Sequence, residues 1–144
     1  MKSEKNIQDF VNKLIKKKEG KSLDFKQKIT SKEKIAKTLA ALANTEGGYL
    51  LIGISDRRKI VGIDPEEERY MIESANEEFC EPSVSMELQQ VKMANENFPD
   101  FSNEEELELL LVKVHPSPNR LIQVKGESGE LKAYRREGDQ TLAI

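Results

Sequence analysis

The stretch from Ile35 to Asp56 constrains this chain more than any other. Ile35, Leu39 and Leu42 recur at helical spacing, with Ala36, Ala40 and Ala43 beside them to permit close packing. Asn44-Thr45-Glu46-Gly47-Gly48 then breaks the pattern, because two adjacent glycines open backbone angles that other residues avoid. Tyr49-Leu50-Leu51-Ile52-Gly53-Ile54 follows at once as a nearly continuous apolar run, which predicts a strand covered on both faces. A helix that feeds directly into a doubly buried strand predicts an α/β (α+β) fold: a single compact domain with a mixed β-sheet and about three helices.

The flanking segments fit that frame. Ile7, Phe10, Val11, Leu14 and Ile15 predict an amphipathic helix over 5–18, with Lys16, Lys17 and Lys18 in its last turn, where the helix dipole favours cations. Ser22 to Lys26 alternates as a short strand. Thr30 and Glu33 have capping-box spacing and open the helix that carries Ile35. After the central strand, Asp56-Arg57-Arg58-Lys59 reads as a polar turn, and Ile60 to Ile63 as a strand pairing back. Asp64-Pro65-Glu66-Glu67-Glu68 starts a third helix, to about Phe79, with an Asp cap, a proline at the first position and acids in the first turn. A strand from Pro82 through Leu88, a polar loop over 94–105, a strand from Leu107 to Val114 and a hairpin from Leu121 to Tyr134 complete the chain. The division is a helix over 1–18 and a core over 19–141, within one domain spanning 1–144.

Composition narrows the function. One cysteine, Cys80, cannot make an internal disulfide, which suits the cytoplasm. One His and one Cys exclude a zinc site of the usual ligand types within one chain, so a metal would have to be a hard ion on carboxylates. The longest apolar run is too short to span a bilayer, so no membrane partner is expected. The net charge of −3 conceals a division: residues 1–40 hold 12 lysines and 5 acids, a balance of +7, and the remainder is −10. If the basic third folds onto one face it attracts phosphate; alternatively the lysines only solvate two helices.

Three blocks carry candidate chemistry: Glu19 to Lys26 (with Glu19, Lys21, Asp24 and Lys26), Lys37 to Gly62, and Tyr134 to Thr141 (with Arg135, Arg136 and Gly138). Glu19, Asp24 and Asp56 are acids near strand ends; clustered carboxylates bind Mg²⁺ or Mn²⁺, which can polarise a phosphodiester. The ordinary alternative is that Asp24 pairs with a lysine and Asp56 opens a turn. Lys21, Lys26, Lys28, Arg57, Arg58, Lys59, Arg135 and Arg136 are candidate phosphate contacts, although a solvated turn is the common fate of a cluster such as Arg57-Arg58-Lys59. Gly47, Gly48 and Gly53 follow a helix rather than precede one and have no Lys-Ser/Thr after them, so they do not form a P-loop; a structural role, in positive φ and close backbone crossing, is expected. Cys80 reads as a buried structural thiol and His115 as a loop residue.

In this order the blocks resemble the Schlafen-type AlbA-like domain, also called a divergent AAA domain. Its pattern, E-x4-[ED]-F-K, then A-N-x-x-G-G-x-L-x-I-G-[IV]-x-D, then Y-x-R-x-G, is met by Glu19 to Lys26, Ala43 to Asp56 and Tyr134 to Gly138. Asp24 stands where Glu is commoner, and Glu66 to Glu108 matches no motif. The resemblance implies nucleic-acid binding (DNA or RNA), inferred for bacterial relatives as DNA binding in transcriptional regulators. It also implies an alternative: a metal-dependent ribonuclease using Glu19, Asp24 and Asp56 as catalytic and metal-binding acids. No cofactor is expected otherwise. A third reading, from the acidic stretch, is a protein-interaction domain, or a homodimer in which acids face basic patches.

Overall fold

The computed structural model describes residues 4–94 and 106–144. Its described residues form three helices, α1 (Glu4–Ile15), α2 (Lys32–Thr45) and α3 (Pro65–Phe79). They also form eight strands: β1 (Leu23–Lys26), β2 (Gly48–Ile52), β3 (Cys80–Glu81), β4 (Met86–Ala94), β5 (Glu106–Val114), β6 (Gln123–Lys125), β7 (Leu131–Glu137) and β8 (Gln140–Ala143). One sheet has the order β1-β2-β5-β4 and a second β3-β6-β7-β8. β1 and β2 are parallel, which requires a crossover, and α2 supplies it. The other pairings are antiparallel, so the fold is α+β, one domain with a mixed first sheet.

The first sheet is covered on both faces, and strand alternation divides its side chains. Leu50, Ile52, Leu110, Val112 and Val114 pack under α2 and α3 with Ile122 and Val124 of the second sheet. Leu23, Phe25, Leu51, Leu109 and Leu111 point the other way and pack against Ile7, Val11 and Leu14 of α1. The central apolar run therefore has the doubly buried environment its composition predicts.

Several boundaries differ from expectation for identifiable reasons. α1 stops at Ile15, leaving Lys16 to Lys18 beyond its end. α2 is capped by Ser31, whose hydroxyl accepts from the Lys34 amide at 3.2 Å, and not by Thr30. α3 starts as predicted: Asp64 Oδ1 accepts from the amides of Glu66 and Glu67 at 3.1 and 3.3 Å, with Pro65 at the first position. Ile60 to Ile63 is not a strand. Only Ile54 and Ile60 bridge, and the chain then turns away so that the Ile63 amide donates to Glu108 O at 2.9 Å. Pro82 to Ser85 is likewise outside a strand. Asn76 of α3 holds this segment, donating to Val84 O at 2.9 Å and accepting from Val84 N at 2.7 Å. Of the polar loop expected over 94–105, Ala94 closes β4 and 95–105 lie outside the described residues. Among the described residues no helix is long and apolar enough to cross a membrane.

Candidate functional site

The three candidate acids do not come together. Asp24 is in the middle of β1, 3% exposed, with Oδ1 at 3.3 Å from Arg136 Nη2 and Oδ2 at 3.0 Å from Lys26 Nζ. Glu19 precedes the strand and accepts from the Phe25 amide at 2.9 Å. Burial raises its pKa, and a hydrogen bond shared with Asp24 raises it further. Asp56 is exposed in the turn after Ile54. No three His, Cys, Asp or Glu side chains among the described residues are placed to hold one metal ion. Glu19, Asp24 and Asp56 therefore do not fit a shared Mg²⁺ or Mn²⁺: Asp24 is neutralised within the protein, and Asp56 is not part of the cluster.

Arg136 is a correction of a different kind. It is 4% exposed and is not available to phosphate. Its Nε and Nη2 donate to Gly20 O at 3.1 and 2.9 Å, Nη2 also reaches Leu23 O and Asp24 Oδ1 at 3.3 Å, and Nη1 donates to Thr141 at 3.2 Å. All three guanidinium nitrogens are engaged, joining β7 of the second sheet to the start of β1.

Asn44 and Thr45, to which no role was assigned from sequence, make the matching junction at the end of α2. Asn44 Nδ2 donates to Ile122 O and Tyr134 O, both at 2.9 Å, and Oδ1 accepts from Ile122 N at 2.8 Å. Thr45 Oγ1 accepts from Arg136 N at 2.9 Å. Four hydrogen bonds, worth about 1 kcal/mol each, thus hold the second sheet on this helix. Gly47 and Gly48 follow with φ of 73° and 148°. A Cβ on Gly48 would lie 2.2 Å from Ser22 O, so the crossing of β2 past the Ser22 backbone admits no side chain there. At Gly53 the space is filled by Leu109, 2.5 Å from where a Cβ would sit.

The candidate cations separate into groups. Arg58 has φ 64° and lies with its guanidinium carbon 4.3 Å above the Phe25 ring centroid. Its Nη1 donates to Ile15 O at 3.0 Å and to Lys17 O, satisfying carbonyls at the C-terminus of α1, where positive charge is favoured. The turn carrying Arg57 and Lys59, both exposed, is thereby fixed against exposed Lys16, Lys17 and Lys18. These three lysines were not among the cations singled out from sequence, although they form a run at a predicted helix end. Elsewhere, Lys21 is exposed in the turn before β1, Lys26 pairs with Asp24, and Lys28 is 3.7 Å from Glu67. Arg135 is on β7, 3.1 Å from Glu137.

A family model of the Schlafen AlbA_2 domain matches residues 19–144. An α+β domain whose motif residues Asp24, Asn44 and Arg136 join its two sheets is the class of protein that the structure defines, and this chain belongs to the Schlafen AlbA_2 family. Among solved structures, it resembles the N-terminal domain of a RecG-related protein from Nitrosomonas europaea, with TM-score 0.59 and 22% identity, covering 88% of this chain and 83% of that one. It also resembles the DIP2311 protein of Corynebacterium diphtheriae, with TM-score 0.53 and 20% identity over 98% of this chain but only 26% of that one. The chain thus spans about a quarter of the latter's length. At these identities the likeness shows the fold alone. No curated protein matches.

Proposed function

We propose that this domain binds nucleic acid through its phosphate backbone, using Lys16, Lys17, Lys18, Arg57 and Lys59 as one basic projection with Arg58 as its brace. The observation that carries the reading is the pair of hydrogen bonds from Arg58 to Ile15 O and Lys17 O, which ties two separate cationic segments into one surface. Exposed cations held on a rigid support attract a polyanion without reading its bases. Family membership supports the reading; the Nitrosomonas europaea protein of like fold is itself described as related to the DNA helicase RecG. Its finer form is a DNA-binding module of the transcriptional-regulator type acting in the cytoplasm.

Fluorescence anisotropy with labelled duplex DNA, single-stranded DNA and structured RNA, each at two salt concentrations, tests it. Affinity is expected to fall steeply with salt, by a log–log slope of about −0.9 per phosphate neutralised on duplex DNA. Reversing Arg57 and Lys59 to Glu is expected to abolish binding, whereas reversing Lys125 and Lys132 on the second sheet is not. Binding that survives the first pair unchanged, or that ignores salt, refutes the reading.

A further inference from the structure

The hydrogen-bond phase of β4 shows an open sheet edge. β4 ends the first sheet, with β5 as its strand neighbour. His115 N donates to Ser85 O at 2.9 Å, so residues in phase with Ser85, namely Glu87, Gln89, Val91 and Met93, direct their amides toward β5. Glu108 O accepts from Ile63 N at 2.9 Å, on the side away from β4, so its partner Lys92 directs its backbone outward. Met86, Leu88 and Gln90 share that outward phase. Lys92 O is covered by Gln8 Nε2 at 2.6 Å, but no described residue bonds the outward groups of Met86, Leu88 and Gln90. Sheet edges are usually blunted by lysine, proline, a bulge or a cover. Lys92 and Gln8 do this for the second half of β4; among the described residues nothing does it for the first.

Both faces beside that open half are grooved. On the α1 face a cavity of about 450 Å³ is walled by Ile7, Phe10, Tyr49 and Leu111 together with Glu87, Gln89 and Lys113. Phe10 and Tyr49 stand edge to face with centroids 5.0 Å apart. On the opposite face a cavity of about 380 Å³ runs beneath α3, lined by exposed Glu73 and Glu77, and both cavities include Leu88. An added strand places alternate side chains on alternate faces. We infer that this edge takes an extended peptide of another protein by strand addition, with apolar residues facing the α1 groove and basic residues facing Glu73 and Glu77. A second copy of this chain fits less well. Two-fold pairing about Leu88 sets the Glu73 and Glu77 carboxylates of both copies on one face of the joined sheet, like charge against like.

The test uses a fluorescein-labelled octapeptide alternating Lys with Leu or Val, and two N-methylated forms blocked at every Lys or at every apolar amide. In a strand, residues of one class direct their amides to the neighbour and the other class away. One N-methylated form is therefore expected to bind at least tenfold more weakly and the other to match the parent peptide, which also reports strand direction. Any other pattern overturns the inference; equal binding of both forms means that charge alone holds the peptide. Two variants provide independent readouts. Gln90→Pro removes an outward amide at an edge position where proline is tolerated, and Glu73→Lys with Glu77→Lys reverses the acidic groove. Each is expected to weaken the peptide at least tenfold and leave oligonucleotide binding unchanged. A chain that sediments as a dimer, and as a monomer after Gln90→Pro, gives the edge to a second copy and overturns the inference.

Discussion

Arg136 Nη2 and Asp24 Oδ1 lie 3.3 Å apart with both side chains almost wholly out of water, and they come from the last and first motif blocks of the chain. The pair locks the second sheet to the edge strand of the first, and its ligands include the Gly20 and Leu23 carbonyls that shape the turn into β1.

Removing one member of this pair leaves a buried charge without its partner. Arg136→Met is expected to cost about 3–5 kcal/mol in urea unfolding, the range for breaking a buried ion pair from one side. Lys26 remains beside Asp24 and should hold the loss toward the lower end. Arg136→Lys should also destabilise, because one ammonium cannot reach Gly20 O, Asp24 and Thr141 together. A variant as stable as the parent would show that the fork carries no structural load.

Legibility differed between core and clamp. α2 and β2 were readable because their apolar spacing is unambiguous and Asn44 to Gly48 marks the break between them. Arg136 was not, because arginine is nearly always at the surface and its burial depends on four partners at least 110 positions away or across a hairpin. Ile60 to Ile63 has strand composition, yet its continuation is fixed by the Glu108 carbonyl, which no local pattern reveals. The acid trio failed on the same ground. All three acids lie near strand ends in the sequence, but spacing along a chain does not fix proximity in the fold, and Asp56 does not join the other two.

Glu19 gives a pH dependence of definite sign. Its carboxyl titrates above the ordinary 4.5 in the folded protein, through burial and then the hydrogen bond with Asp24. The folded state therefore holds more protons than the unfolded state from about 4.5 upward, and stability contributed by this group falls as pH rises through that window. Glu19→Gln keeps an acceptor for the Phe25 amide and a donor for Asp24 without the ionisation. The variant is expected to gain on the parent as pH rises from 4.5 and to hold a constant advantage above the folded value. Parallel stability curves across the range would exclude this assignment.

Cys80 follows α3 with its thiol pushed up to about 12 by burial and directed to Ala36 O at 3.6 Å. A thiolate is the reactive form, so a disulfide reagent at pH 8 should label the native protein only through unfolding. The labelling rate is expected to track the unfolding rate as urea increases. Rapid single-phase labelling without denaturant would show that the thiol opens locally.

Arg57 and Arg58 are adjacent and chemically identical, yet they should respond differently to substitution. Arg57 is exposed, so Arg57→Ala is expected to leave stability within about 0.5 kcal/mol and reduce nucleic-acid affinity by one phosphate contact. Arg58 carries the α1 carbonyls and covers Phe25, so Arg58→Ala should cost about 1–2 kcal/mol, the scale of a charged helix-end hydrogen bond with cation–π support. Its φ of 64° is left-handed, where glycine has no steric penalty; Arg58→Gly should therefore recover part of that loss without restoring the hydrogen bonds. If Arg58 braces the projection, both Arg58 variants lower affinity more than Arg57→Ala, since Lys16 to Lys18 lose their fixed position against Lys59. If affinity instead falls equally for Arg57→Ala and Arg58→Ala, each side chain acts only as a charge, and the hydrogen bonds to Ile15 and Lys17 have no part in binding.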